Sequence, residues 1–186
     1  MDSARWCPGV GILLITCGCA SVPTMPADAT ERQRELASGY SLLYELVHKQ
    51  SRLGGILILK SATDETKDVI EQIARVSTDA KEKISAFAQE DENLGLDHAN
   101  LPVLERGTRD AIESATGKGL LFAGESFELK LLLTQTEATN YGSFLARTLA
   151  GVEENAQRKQ WLSDFAQSYG ELHEKVVGRL GVGKGP

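Results

Sequence analysis

Apolar residues recur every three or four positions through four separate stretches of this chain, and that spacing commits it to helices before any other feature is considered. In one stretch, Ile70, Ile73, Ala74, Ser77, Ala80, Ile84 and Phe87 fall on a single face of a helix advancing about 100° per residue. Leu36, Tyr40, Leu43, Val47, Gly54 and Leu57 do the same between Glu31 and Lys60. Phe127, Leu131, Gln135, Ala138, Gly142, Leu145 and Leu149 follow the pattern between Ser126 and Ala150. Leu162, Phe165, Ala166, Tyr169, Leu172, Val176 and Leu180 follow it between Glu154 and Leu180. The spacing predicts four helices of about 25–30 residues, each roughly 40 Å long. Thr63-Asp64 reads as a turn and N-cap for the second, with Glu65 and Asp68 well placed in its first turn. Gly151 reads as the end of the third. No stretch reads as a strand, since Ile56-Leu57-Ile58-Leu59 sits inside the first helical pattern.

Only a few residues separate the first helix from the second and the third from the fourth, and short joints force antiparallel neighbours. The middle connection, from Asp91 to Glu125, is long enough to travel the length of the helices. It carries a short helix of its own, opened by Pro102 at a first-turn position and continuing through Leu104, Arg109 and Ile112. The halves also correspond at a fixed offset of 92 residues. Ile70, Ile73, Ala74, Ala80, Lys83 and Ile84 match Leu162, Phe165, Ala166, Leu172, Lys175 and Val176, while Glu45, Leu53 and Leu57 match Glu137, Leu145 and Leu149. In this architecture and repeat, residues 31–180 resemble the ferritin-like superfamily. The resemblance implies an all-α, antiparallel four-helix bundle, two helical hairpins joined by a long crossover containing a short helix.

A chain of 186 residues with 41% hydrophobic and 25% charged residues can bury one ordinary core. A net charge of −6 without a basic stripe excludes a nucleic-acid footprint and a polybasic hold on an anionic bilayer. The three cysteines, Cys7, Cys17 and Cys19, all precede the helical body, which leaves the body neither a disulfide framework nor a thiolate metal site.

Arg5 makes a short, weakly positive start, and Val10-Gly11-Ile12-Leu13-Leu14-Ile15 is an apolar run too short to span a bilayer. It ends in Thr16-Cys17-Gly18-Cys19-Ala20-Ser21. This resembles the bacterial lipobox, in which small residues lead to a cysteine that takes diacylglycerol on its thiol and becomes the first residue after cleavage. The resemblance implies a lipoprotein signal peptide over residues 1–18 and lipidation at Cys19, with Cys17 as the second candidate. Acyl chains anchor by about 0.8 kcal/mol per buried methylene, so more than one is needed. Pro23 and Pro26 among small residues make 19–30 a flexible tether, and 181–186 reads as a disordered tail. Ala20 after the cysteine points to the outer membrane where the organism has one.

Ferritin-like di-iron proteins place a Glu on each of two helices and Glu-x-x-His on the other two, all facing inward. Glu45-Leu46-Val47-His48, Glu137 and Glu171-Leu172-His173 offer such residues, a candidate ligand set of Glu45, His48, Glu137, Glu171 and His173. At about 100° per residue, however, Glu45 and His48 lie some 150° from their apolar stripe and Glu137 about 110° from its own, leaving His173 alone inward. The pseudo-equivalent of His173 is Lys81, whose ammonium would repel a metal. The expectation is therefore no metal and no cofactor. Gln50, Lys81, Gln135 and His173, with Ser77 and Tyr169, form either a hydrogen-bonded layer that fixes helix register or a small polar pocket.

Other signals carry little. Ala115-Thr116-Gly117-Lys118-Gly119 lacks the first glycine of a phosphate loop and follows a helix rather than a strand. Asp97-His98 reads as solvated loop, no nucleophilic triad is in sight, and Glu105 and Arg109 read as a helix-surface ion pair. The chain reads as a lipid-anchored protein of the cell envelope, not an enzyme, with a binding or structural bundle. The alternatives are a metal-binding or redox member of the same superfamily and an adaptor that binds a protein partner through an exposed helix face.

Overall fold

The computed structural model describes residues 30–97 and 101–182. The leader, Cys17, Cys19 and the tether ahead of Thr30 lie outside the described residues, as do His98 and positions 183–186. Among the described residues the protein is all-helical, without a strand: α1 (Glu31–Gln50), α2 (Gly54–Leu59), α3 (Asp64–Glu90), α4 (Val103–Leu121), α5 (Phe127–Val152) and α6 (Ala156–Val182). No helix among them is long and apolar enough to cross a membrane.

Local chemistry sets most of the ends. Thr30 opens α1 with a capping box: its hydroxyl accepts from the Gln33 N–H at 3.3 Å, and the Gln33 side chain accepts from the Thr30 N–H at 2.7 Å. Thr63 caps α3 as its sequence predicts. Asn155 caps α6, its Oδ1 accepting from the Gln157 and Arg158 N–H groups at 3.0 and 3.1 Å.

Two expected boundaries shift. The helix expected to run to Lys60 stops at Gln50, and Ile56 to Leu59 belong to the separate short α2. Ser51 to Leu53 close in a turn ahead of Gly54-Gly55, a pair that gives little support to a continuing helix. Nor does Gly151 end α5. The helix runs on to Val152, and the turn is made at Glu153, whose backbone is extended. The one positive φ among the described residues is at Gly124, 54°, in the 3-10 turn Gly124–Ser126 that leads into α5.

Contacts between named residues fix how the long helices run. Arg32 at the start of α1 donates to the Val152 carbonyl at 3.2 Å and pairs with Glu154 at 2.8 Å, so α1 and α5 are antiparallel. Gln72 accepts from Lys175 at 2.7 Å while Phe87 meets Trp161 edge-on at 5.4 Å, so α3 and α6 are antiparallel too. Glu128, in the first turn of α5, receives the hydroxyls of Thr63 and Thr66 at 2.5 Å each, which sets the starts of α3 and α5 side by side. Each of α1, α3, α5 and α6 packs on two of the others, and α4 lies against α5.

The core between them is the one the periodicity predicts. Tyr40, Leu43, Val47, Ile70, Ile73, Ile84, Leu131, Leu162, Tyr169 and Val176 are fully buried. Each large apolar side chain so placed contributes roughly 1.5–3 kcal/mol. Trp161, Phe165 and Tyr169, one turn apart along α6, stack in sequence with ring centroids 5.5 and 4.3 Å apart. Small side chains sit at the α5–α6 contact. Ser143 donates to the Ala166 carbonyl at 2.8 Å, and a Cβ added to Gly142 would stand 2.6 Å from the Tyr169 ring and 2.8 Å from Leu46.

The crossover helix α4 is longer than the short helix expected there, and it buries only Leu120. Its polar side faces the body. Arg109 takes up Glu105 at 2.7 Å, donates to the Tyr141 hydroxyl at 2.7 Å, and lies over the Tyr141 ring. Glu113 pairs with Lys49 of α1 at 2.7 Å.

Candidate functional site

Two polar constellations stand out inside this apolar frame. The first lies midway along α3, α5 and α6 and contains Ser77, Gln135, Tyr169 and His173, four of the six residues singled out from the sequence for a polar layer. Ser77 is fully buried; its hydroxyl is 2.6 Å from the Ile73 carbonyl and 2.5 Å from the Tyr169 hydroxyl. Burial raises the Tyr169 pKa well above the usual tyrosine range. One turn further along α6, His173 Nδ1 lies 3.1 Å from the Thr136 carbonyl and 3.5 Å from the Thr139 hydroxyl, which itself donates to the Gln135 carbonyl at 2.7 Å. Gln135 is 1% exposed, and Gln50 is buried at the end of α1. The Oε1 atoms of both glutamines accept no hydrogen bond among the described residues.

Lys81 is half-buried and stands apart from this group. The reason is geometric. Ser77 and Tyr169 meet where α3 and α6 cross, and Lys81 and His173 are each four residues further along helices that run in opposite directions. The two therefore sit on opposite sides of the Ser77–Tyr169 pair, roughly 12 Å apart along the axis. Equivalent positions in two antiparallel helices diverge from the crossing point and cannot build a shared pocket unless they lie at it.

The residues of the alternative metal set are scattered. His48 is exposed and stacked on Tyr44 with centroids 6.0 Å apart, and Glu137 and Glu171 are exposed. Glu45 departs from its expected place on the solvent side: it is buried, at 5% exposure. The covering element is α4. Lys49, one turn along α1, pairs with Glu45 and reaches across to Glu113, so the crossover closes over a side of α1 that would otherwise face water. No group of three or more His, Cys, Asp or Glu side chains converges on a point where an ion could sit, among the described residues.

The second constellation is invisible to sequence patterns and lies at the end where α1 begins. Glu153, in the α5–α6 turn, is 3% exposed. Its Oε2 accepts from the Tyr40 hydroxyl at 2.8 Å and from Arg158 Nε at 3.0 Å; its Oε1 accepts from Arg158 Nη2 at 3.1 Å and from the Asn155 N–H at 2.8 Å. Arg158 Nη1 then donates to Asp91 Oδ2 at 2.7 Å, at the C-cap of α3. One guanidinium thus joins three segments, in the bidentate geometry that favours arginine over lysine.

The electrostatics follow from these contacts. Burial pushes the Glu153 carboxyl up, but the hydrogen bonds from Arg158, the Asn155 N–H and Tyr40 outweigh it and hold the group below the usual carboxylate range. Asp91 is held low in the same way, with burial opposed by Arg158 and Asn93. Burial, and then the bond to Glu153, raises the Tyr40 hydroxyl far above its ordinary value. Every group is locked in its resting charge state near neutral pH, which suits a clamp better than a proton-transfer site. No family model, curated protein or solved structure matches the chain.

Proposed function

We propose that the chain is a cell-envelope lipoprotein, held to a membrane by lipid on Cys19, whose ferritin-like four-helix bundle has no working metal centre and serves as a binding or structural scaffold. Two antiparallel hairpins with a long crossover are supported by the side-by-side starts of α3 and α5 at Thr63, Thr66 and Glu128. A chain leaving the end of α3 has to travel back along the whole helix before α5 can begin there. The anchor is supported by the apolar run that ends in Gly18-Cys19.

The observation that carries the scaffold reading is what the inward polar groups do. Ser77 bonds Tyr169, His173 bonds the Thr136 carbonyl, and Glu153 is surrounded by Tyr40, Asn155 and Arg158. A ligand or metal site needs such groups to converge on a vacant point. Here Ser77, Tyr169, His173 and Glu153 are each taken up by protein partners, and Glu137 and Glu171 are exposed.

Metal content tests this reading. Protein purified without chelator from cells supplied with iron and manganese is expected to carry far less than one metal per chain. Stoichiometric metal that is lost on Glu45→Ala and His173→Ala would overturn it.

A further inference from the structure

We propose that α4 is a releasable strap: the stretch between Leu101 and Leu120 undocks and unwinds reversibly while α1, α3, α5 and α6 stay folded, and its release uncovers the Glu45 carboxylate. Leu101 and Leu120 are 5 and 7% exposed and clip the two ends to the body. Between them, no residue from 102 to 119 is buried. A helix that hides so little apolar surface draws almost nothing from the core and belongs to the least stable part of a fold. By contrast, α3 buries Val69, Ile70, Ile73, Ile84 and Phe87 along its length.

What holds the span between the clips is polar. Arg109 donates to the Tyr141 hydroxyl at 2.7 Å and lies over its ring, and Glu113 meets Lys49 at 2.7 Å. The side chains of Lys49 and Glu113 are 34 and 56% exposed, so salt screens their attraction. The helix adds little support of its own. Gly107, Gly117 and Gly119 each lower its propensity, and a 19-residue helix with three glycines is marginal once released. The chain length permits the motion. From Leu101 to Leu120 a helix covers roughly 30 Å, and the same residues extended reach roughly 60 Å, so unwinding leaves slack with both clips in place.

Beneath the strap lies Glu45, 5% exposed and joined to Glu113 through their shared partner Lys49. Closure removes this carboxylate from water, and release returns it to the surface. Ordering and disordering of one segment thus switches which charges α1 presents, with ionic strength as the input.

The test is hydrogen exchange of the full chain, followed by mass spectrometry at constant pH in about 0.05 and 0.5 M sodium chloride. Peptides covering 103–118 are expected to exchange at least about 100-fold faster than those covering 70–87. The higher salt should speed the first set severalfold and leave the second unchanged. Glu113→Gln is expected to speed α4 by about threefold at low salt. Gly107→Ala/Gly117→Ala is expected to slow it by about 20-fold, because a Cβ at either position meets nothing within 4 Å and acts only on helix propensity. Labelling of Glu45 by a carbodiimide and an amine should rise with salt in the wild type and stay low in the alanine pair. Exchange of 103–118 in step with 70–87 overturns the proposal. So does α4 exchange that is indifferent to salt and to Glu113→Gln, or that the alanine pair leaves as fast as before.

Discussion

The hydroxyls of Ser77 and Tyr169 lie 2.5 Å apart, and the two residues are 92 positions apart in the chain, the same offset that aligns its halves. Between two matching antiparallel helices, only residues at the crossing point can touch their own counterparts. The pair therefore marks where α3 and α6 cross, and Lys81 and His173 fall to either side.

This bond should be measurable as a coupling. Tyr169→Phe and Ser77→Ala are each expected to cost about 1 kcal/mol of unfolding free energy, since each leaves a buried hydroxyl short of one partner. The double variant should cost less than the sum by about 0.5–1 kcal/mol in urea titrations, because the second removal loses nothing further across the helices.

Glycines separate the tight contacts from the open ones. Gly142→Ala is expected to destabilise by about 1–3 kcal/mol, since its methyl group would stand 2.6 Å from the Tyr169 ring and 2.8 Å from Leu46. Gly178→Ala, in α6 with nothing within 4 Å, is expected to stabilise by about 0.5–1 kcal/mol. Thermal midpoints of the two variants should move in opposite directions.

The Arg158 clamp predicts both a stability loss and a change in acid response. Arg158→Met leaves the Glu153 carboxylate, with a side chain 1% exposed, without its countercharge, and about 3 kcal/mol is expected to be lost at pH 7. Glu153 and Asp91 titrate below their ordinary values when folded, so what they contribute is present above the unfolded pKa values, about 4.3 and 3.9, and fades as pH falls through the lowered folded ones. Urea midpoints of the wild type should therefore drop between about pH 4.5 and 2, and Glu153→Gln should drop less steeply over that window.

The core was legible because its signal is periodic. Ile70, Ile73, Ser77, Ile84 and Phe87 lie on one face of α3 and are all buried, as are Leu162, Phe165, Tyr169 and Val176 on α6. Three features were not legible, for distinct reasons. Glu45 reads as outward relative to its own stripe, and nothing local announces that α4 will cover that side and bury it. Tyr40, Asp91, Glu153 and Arg158 come from separate segments, with 113 positions between Tyr40 and Glu153, so no spacing rule links them. The break after Gln50 did carry a signal, Gly54-Gly55, which the continuing apolar pattern of Leu53, Ile56 and Leu57 masked.

The anchor at Cys19 is the centre of the functional proposal, and the mass of the mature N-terminus tests it most directly. Protein extracted from membranes and digested should yield an N-terminal peptide that begins at Cys19 and carries a thioether-linked diacylglycerol; Cys19→Ala should abolish this modification, while Cys17→Ala should leave it in place. An N-terminal peptide beginning elsewhere, or a Cys19 with a free thiol in the mature protein, would contradict the account.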